Sequence, residues 1–303
     1  MKVIIYYFSG TGNTEKVARE YESALIGEGH EVTLASLPLS YEEIAATNVE
    51  TYDLIGIGYP IHAFNAPEVV IKFAKALPKL EEKKRVFVFK TSGEPVRMSD
   101  VSSLKLESVL RKRGYSIENE YQYVMPYNII FRHDDAAVYK MWTTAKAVIP
   151  IDVREILSGT QSRPKKVAFG PLIAGALRIE HGYAHVNAKF YKVKKNCVHC
   201  NLCVKTCPTK NIKVNDNGKI KFGTDCTMCM RCSFNCPVNA IDLGILKGWK
   251  VNGAYSFTEP TPDSPPPTKR HANYCKKAYD RYYNTAENKI RTETEKPQDG
   301  AHT

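Results

Sequence analysis

Eight of the nine cysteines fall into two runs of one spacing. Cys197, Cys200, Cys203 and Cys207 follow C-x2-C-x2-C-x3-C and precede Pro208; Cys226, Cys229, Cys232 and Cys236 repeat the spacing and precede Pro237. Thiolates at such short intervals cannot line a strand or a straight helix face, so the chain must curl around a metal centre. The chemistry they suit is ligation of iron–sulfur clusters. Structural zinc uses paired C-x2-C steps and has no need of a third. Disulfides do not persist in a reducing cytoplasm, and nothing at the start of the chain has the apolar length of a secretory signal.

The spacing resembles the run of bacterial-type ferredoxins, in which three thiolates hold one cubane and the fourth reaches across to the other. That resemblance implies two [4Fe-4S] clusters. Cys197, Cys200, Cys203 and Cys236 would hold the first, and Cys226, Cys229, Cys232 and Cys207 the second.

A second constellation stands at the N-terminus. Lys2 to Phe8 is apolar, β-branched and aromatic and predicts a buried strand. Ser9-Gly10-Thr11-Gly12-Asn13-Thr14 follows, and a helical pattern runs from Glu15 to about Ile26. A strand, a loop rich in hydroxyls and glycine and then a helix can hold a phosphate, with loop amides, hydroxyls and the helix N-terminus as donors. The loop has neither the lysine of a Walker A motif nor the three glycines of a dinucleotide fingerprint. The phosphate must therefore be held by neutral donors.

This loop resembles the phosphate loop of flavodoxins, which binds the phosphate of FMN. Together with the cysteines, residues 1 to about 245 resemble bacterial and archaeal fusions of a flavodoxin domain to a two-cluster ferredoxin. The resemblance implies an α/β fold: a flavodoxin-like doubly wound sheet of five parallel strands, followed by a small α+β ferredoxin-like domain. Strands are expected at Lys2–Phe8, Glu31–Ser36, Asp53–Gly58, Arg85–Lys90 and Tyr121–Val124, with helices near Ala66–Leu77 and Val101–Lys112. Such sheets bind ligands at the carboxyl ends of their strands. There lie Tyr59-Pro60-Ile61-His62-Ala63-Phe64 and Thr91-Ser92-Gly93-Glu94, which by the same resemblance sandwich the isoalloxazine ring. Tyr59 and Phe64 are expected to cover it, since aromatic faces suit a flat π system, and His62 is a candidate proton donor. The second loop departs from short-chain flavodoxins in lacking a tyrosine and a group of acids, which lessens the anionic charge around the flavin.

The organisation expected is a flavodoxin-like domain at 1–160, a helical connector at 161–190, the ferredoxin domain at 191–246 and a proline-rich linker with a helical tail at 247–303. Asp134 to Leu157 has helical periodicity, with Pro150 expected to kink or divide it, and Leu172 to about Phe190 predicts another helix. His181 and His185 share a helix face, but with no third ligand in view they are read as structural. Asn215-Asp216-Asn217-Gly218 predicts a hairpin turn. Pro260 to Pro267 reads as linker, His271 to Asn284 as a helix docked on the body, and Cys275 as packing or a free thiol. Disorder is expected over the last ten residues or so.

Charge is divided unevenly. Residues 1–160 hold 19 Lys and Arg against 21 Asp and Glu, whereas 161–303 hold 24 against 11. Part of that C-terminal excess offsets the negative charge of clusters and thiolates. No nucleic-acid-binding motif accompanies it, and no apolar run is long enough to cross a membrane. The expected partner is an acidic redox protein rather than nucleic acid or membrane, and the expected location is the cytoplasm. The leading functional expectation is an electron-transfer iron–sulfur flavoprotein of anaerobic metabolism, carrying electrons between FMN, its clusters and that partner. The alternatives are an FMN-dependent oxidoreductase acting on a small substrate, and a redox sensor.

Overall fold

The computed structural model describes residues 1–165, 167–261, 264 and 275–295. Five strands form the main sheet: β1 (Lys2–Tyr7), β2 (Glu31–Ser36), β3 (Leu54–Pro60), β4 (Lys84–Ser92) and β5 (Tyr115–Val124). Their order is β2-β1-β3-β4-β5, and every pair is parallel. The chain winds outward in both directions from β1, so the carboxyl ends of β1 and β3 open a crevice at the point where the order reverses. This is a flavodoxin-like α/β fold.

Both faces of the sheet are covered, which is why β1, β3 and β4 read as near-continuous apolar runs. Helices α1 (Asn13–Gly27) and α5 (Asp135–Leu157) cover one face. In α1, Val17, Ala18, Tyr21 and Leu25 recur at helical spacing and are fully buried against Phe87 and Phe89. On the other face lie α3 (Glu68–Ala76) and α4 (Leu104–Arg111), with Val70, Phe73, Leu106 and Leu110 buried over Ile4, Ile55 and Val88. A short α2 (Tyr41–Ala46) begins with a reciprocal capping box between Ser40 and Glu43.

Two expectations about helices need correction. Pro150 does not divide α5, which runs unbroken through it. The carbonyl that Pro150 leaves without its N–H partner belongs to Lys146, an exposed residue, so water can satisfy it. The stretch expected as one helix from Leu172 is two, α6 (Gly170–Leu177) and α7 (Ile179–Ala188). Glycines at 175 and 182 weaken a continuous helix, and at the break the Arg178 guanidinium turns back to Asn65 Oδ1 at 3.4 Å.

The cysteine-bearing unit is small. Strands β6 (Lys192–Val193) and β9 (Ile241–Asp242) pair antiparallel and close it, while β7 (Ile212–Val214) and β8 (Ile220–Phe222) form the predicted hairpin around Gly218 at φ 71°. Helices α8 (Leu202–Thr206) and α9 (Arg231–Phe234) each follow a cysteine loop. Its apolar centre is Tyr191, Met230, Ile241 and Leu243, with Cys203, Cys232 and Cys236 packed against it.

The final helix, α10 (Lys276–Thr294), is longer than the sequence suggests and lies along α5. Lys289 reaches buried Asp152, which also accepts from Tyr123, and sits 2.8 Å from Glu155. Burial pushes the Asp152 carboxyl up to about 6 despite that cation. Cys275 stands at the start of this helix. Most of the expected proline linker, His271 to Tyr274, and the last residues lie outside the described residues.

Candidate functional site

The hydroxyl- and glycine-rich loop leaves β1 at the sheet's carboxyl edge and turns into α1. Gly12 makes the turn at φ 96°, a left-handed conformation open to glycine. Its N–H donates to Ser9 Oγ at 3.1 Å. No side chain caps α1, so its first amides remain available to an anion. The Thr14 and Thr91 hydroxyls are 2.8 Å apart, and Asn13 donates to the carbonyl of Pro126 at 2.7 Å. These contacts draw the loops after β1, β4 and β5 together.

They surround a cavity of about 670 Å³. Ser9, Gly10, Thr11, Asn13 and Thr14 line one end; Pro60, Ile61, His62, Ala63 and Phe64 line one side and Thr91, Ser92, Gly93 and Glu94 another. Ala63 and Phe64 take left-handed φ of 46° and 56°, a sharp turn whose strain side chains rarely bear away from functional loops.

Two predicted residues stand elsewhere. Gly12 shapes the turn but is exposed, outside the cavity wall. Tyr59, expected over the ring, is fully buried in the core on the α3–α4 side of the sheet. It is still within β3, and side chains alternate along a strand, so Ile55, Ile57 and Tyr59 share the core face.

The aromatic wall comes instead from Phe64, Tyr127 and Trp249. Sequence reasoning missed the last two. Tyr127 stacks on His133 at 5.3 Å, and its ring stands where a Cβ at Gly93 would be, 2.1 Å from that position. Trp249 arrives from beyond the cysteine unit, held by the bond from Ile130 N to its carbonyl at 2.7 Å. His185 also lines the cavity, 3.5 Å from Glu68, and its ring meets the carbonyl of Thr224. The side chain of His181 lies outside the described residues. From behind, Tyr279 of α10 donates to the carbonyl of Gly93.

Glu94 is the one acid of the second loop. Burial alone pushes its carboxyl up to about 7, and Oε2 is enclosed without a hydrogen-bond partner. A buried carboxyl oxygen without a partner is rare in a folded protein, and this one belongs to a residue of the cavity wall. A neutral phosphate loop, aromatic walls and an unpartnered carboxyl are groups that fit FMN.

The cysteines form two sets. Cys197, Cys200, Cys203 and Cys236 line one small cavity, and Cys207, Cys226, Cys229 and Cys232 line another. Among the described residues no group of three or more His, Cys, Asp or Glu converges on a point as ligands of a single ion do. A cubane asks for something different, because each of its four irons takes one thiolate and the sulfurs stand around a volume. Non-glycine residues adopt left-handed φ at matching places in the two runs, His199 with Met228, Asn201 with Met230 and Lys210 with Asn239. The curl turns amides inward: Met228 N donates to Cys226 Sγ at 3.4 Å and Ala240 N to Cys236 Sγ at 3.2 Å.

The second run lies against the phosphate loop. Cys226, Thr227 and Met228 form part of the large cavity's wall, and buried Cys229 packs into the sheet's own core. Arg231 donates through Nε to the carbonyl of Gly10 at 3.2 Å, through Nη1 to that of Thr206 at 3.1 Å, and through Nη2 to that of Ser9. Three carbonyls from two segments, the phosphate loop and the end of α8, thus meet on one guanidinium, whose fixed fork of donors suits such bridging.

Residues 4–110 match the family model of the flavodoxin domain. An uncharacterised protein of Methanocaldococcus jannaschii is 27% identical over 122 residues, covering 40% of this chain and 73% of its own. Among solved structures, oxidised flavodoxin 2 from Bacillus cereus is 25% identical with a TM-score of 0.37, covering 52% of this chain and 99% of that one. Two-electron reduced Megasphaera elsdenii flavodoxin is 23% identical with a TM-score of 0.36, covering 50% and 98%. No helix among the described residues is long and apolar enough to cross a membrane.

Proposed function

We propose that this chain is an electron-transfer iron–sulfur flavoprotein that binds FMN in the large cavity and two [4Fe-4S] clusters on its cysteine quartets, and exchanges electrons with an external redox protein. The observation that carries the reading is the shared wall: Cys226, Thr227 and Met228 line the same cavity as the flavin loops. When bound, FMN supplies one- or two-electron chemistry and each cubane one-electron chemistry. The matched flavodoxin domain over residues 4–110 supports the flavin half.

The chain's own residues divide the work. The Ser9, Thr11 and Thr14 hydroxyls and the first amides of α1 neutralise a phosphate without a cationic side chain. Phe64, Tyr127 and Trp249 offer apolar faces to the ring and exclude water. Glu94, held largely protonated below about pH 7, is the one acid that the second loop brings to the cavity wall. Amides directed at Cys226 and Cys236 offset thiolate charge. Arg231 fixes the phosphate loop to the second cysteine run.

A cofactor inventory on anaerobically purified protein tests this. The expected content is one FMN with about eight irons and eight sulfides per chain. Full iron without flavin would refute the flavin half, and flavin without iron the cluster half.

A second reading, an FMN-dependent oxidoreductase of a small substrate, draws on the extension of the cavity past the flavin loops to Tyr183, His185 and Trp249. His62 would then be the proton donor. Substrate turnover lost in His62→Ala, with flavin still bound, would favour it over the carrier.

A further inference from the structure

The two cysteine sets are placed differently with respect to solvent. Cys229 of the second is buried in the sheet's core, whereas Cys200 of the first is exposed. Around Cys200 the surface is apolar: Val198 is 59% exposed and Leu202 38%. Both flank Cys200 on the loop and at the start of α8.

The surrounding stretch is basic. From residue 192 to 221 there are eight lysines, all exposed, and one acid, Asp216. Among the described residues only Lys194 is in an ion pair, with Asp242 at 3.3 Å. On α8, Lys205 stands one helical turn from Leu202, so an exposed lysine flanks that apolar side chain.

We propose that this lysine-rimmed apolar surface around Cys200 is the docking site for an acidic redox protein. The inference rests on the carrier reading above and adds where the partner binds. An apolar centre inside a charged rim is the anatomy of a protein interface, and complementary charge speeds encounter and sets orientation. Arginine, the side chain most used to read bases, is absent from 192–221, and so are exposed aromatics for base stacking.

The test uses the full-length protein with its measured iron and an acidic plant-type ferredoxin as probe. Binding is followed by calorimetry across a salt series, with a basic c-type cytochrome as counter-probe. The double variant Lys195→Glu, Lys205→Glu should weaken ferredoxin binding at least ten-fold at low salt, flatten its salt dependence and leave iron and flavin content intact. The corresponding glutamine variant should show a smaller loss. Lys83→Glu, at the opposite end of the sheet, should change nothing. Iron-loaded protein that binds ferredoxin with unchanged affinity after charge reversal would overturn the docking surface alone. Lysine-dependent retention of a DNA duplex, with none of the ferredoxin, would overturn it in favour of nucleic acid. Iron-free protein would overturn the carrier reading and this proposal with it.

Discussion

The backbone carbonyl oxygen of Cys229 stands 2.1 Å from where a Cβ at Gly10 would be. The phosphate loop and the second cysteine loop therefore meet backbone to backbone, without an intervening side chain.

Gly10→Ala should separate them. The obstacle is main chain, so relief requires a loop to move, at an overpacking cost of about 1–3 kcal/mol. FMN affinity should fall roughly ten- to a hundred-fold, at about 1.4 kcal/mol per factor of ten. Fluorescence titration of the variant measures this, with Gly27→Ala, where a Cβ meets nothing within 4 Å, as control. Unchanged affinity would mean the close approach does not shape the site.

Glu94 gives the flavin-free protein a pH dependence of known direction. Its folded carboxyl titrates at about 7 and its unfolded one at about 4.3. Its contribution to stability is full below about pH 4.3 and is lost as pH rises through 7. Urea midpoints should therefore fall between pH 5 and 8 in the native chain and fall less in Glu94→Gln. Equal slopes in the two proteins would remove Glu94 as the source.

A buried ion pair supports the second flavin loop. Lys90 Nζ lies 2.6 Å from Glu120 Oε1, both side chains 1% exposed, and Ser103 donates to the same oxygen at 2.6 Å. Removing one partner strands the other's charge. Glu120→Ala should cost about 3–5 kcal/mol, whereas an apolar pair at both positions should recover much of that loss. Equilibrium denaturation of the singles and the double decides it.

The cysteine-bearing unit has a core of few residues, so bound clusters should supply much of its folding free energy. Chelation of iron should unfold residues 191–246 and leave the five-stranded sheet standing. Circular dichroism and limited proteolysis before and after would show this; unchanged protease resistance in 191–246 would contradict it.

Legibility in the sequence followed local pattern. Strand β2 was readable to the residue, because Glu31–Ser36 alternates and ends in a turn. Strand β5 begins earlier than its apolar run, because Glu118, Asn119 and Glu120 break the pattern, and only tertiary partners such as Arg85 and Lys90 allow acids there. The loops after β1, β3 and β4 were legible because a doubly wound sheet leaves them one place to go. Tyr59 was misplaced because a strand's last residues keep its alternation. Tyr127, Trp249 and Arg231 carry no periodic signal; only the packing of distant segments brings them to the cavity.

Arg231 and Gly10 are 221 positions apart. On a growing chain the sheet and its first loops emerge long before the residue that clasps them, and domains generally fold in that order. In a nascent chain the phosphate loop precedes these neighbours, and the second cysteine loop and then Trp249 complete the cavity wall. Assembly of the two halves has a built-in sequence, with the later half acting as the latch on the earlier.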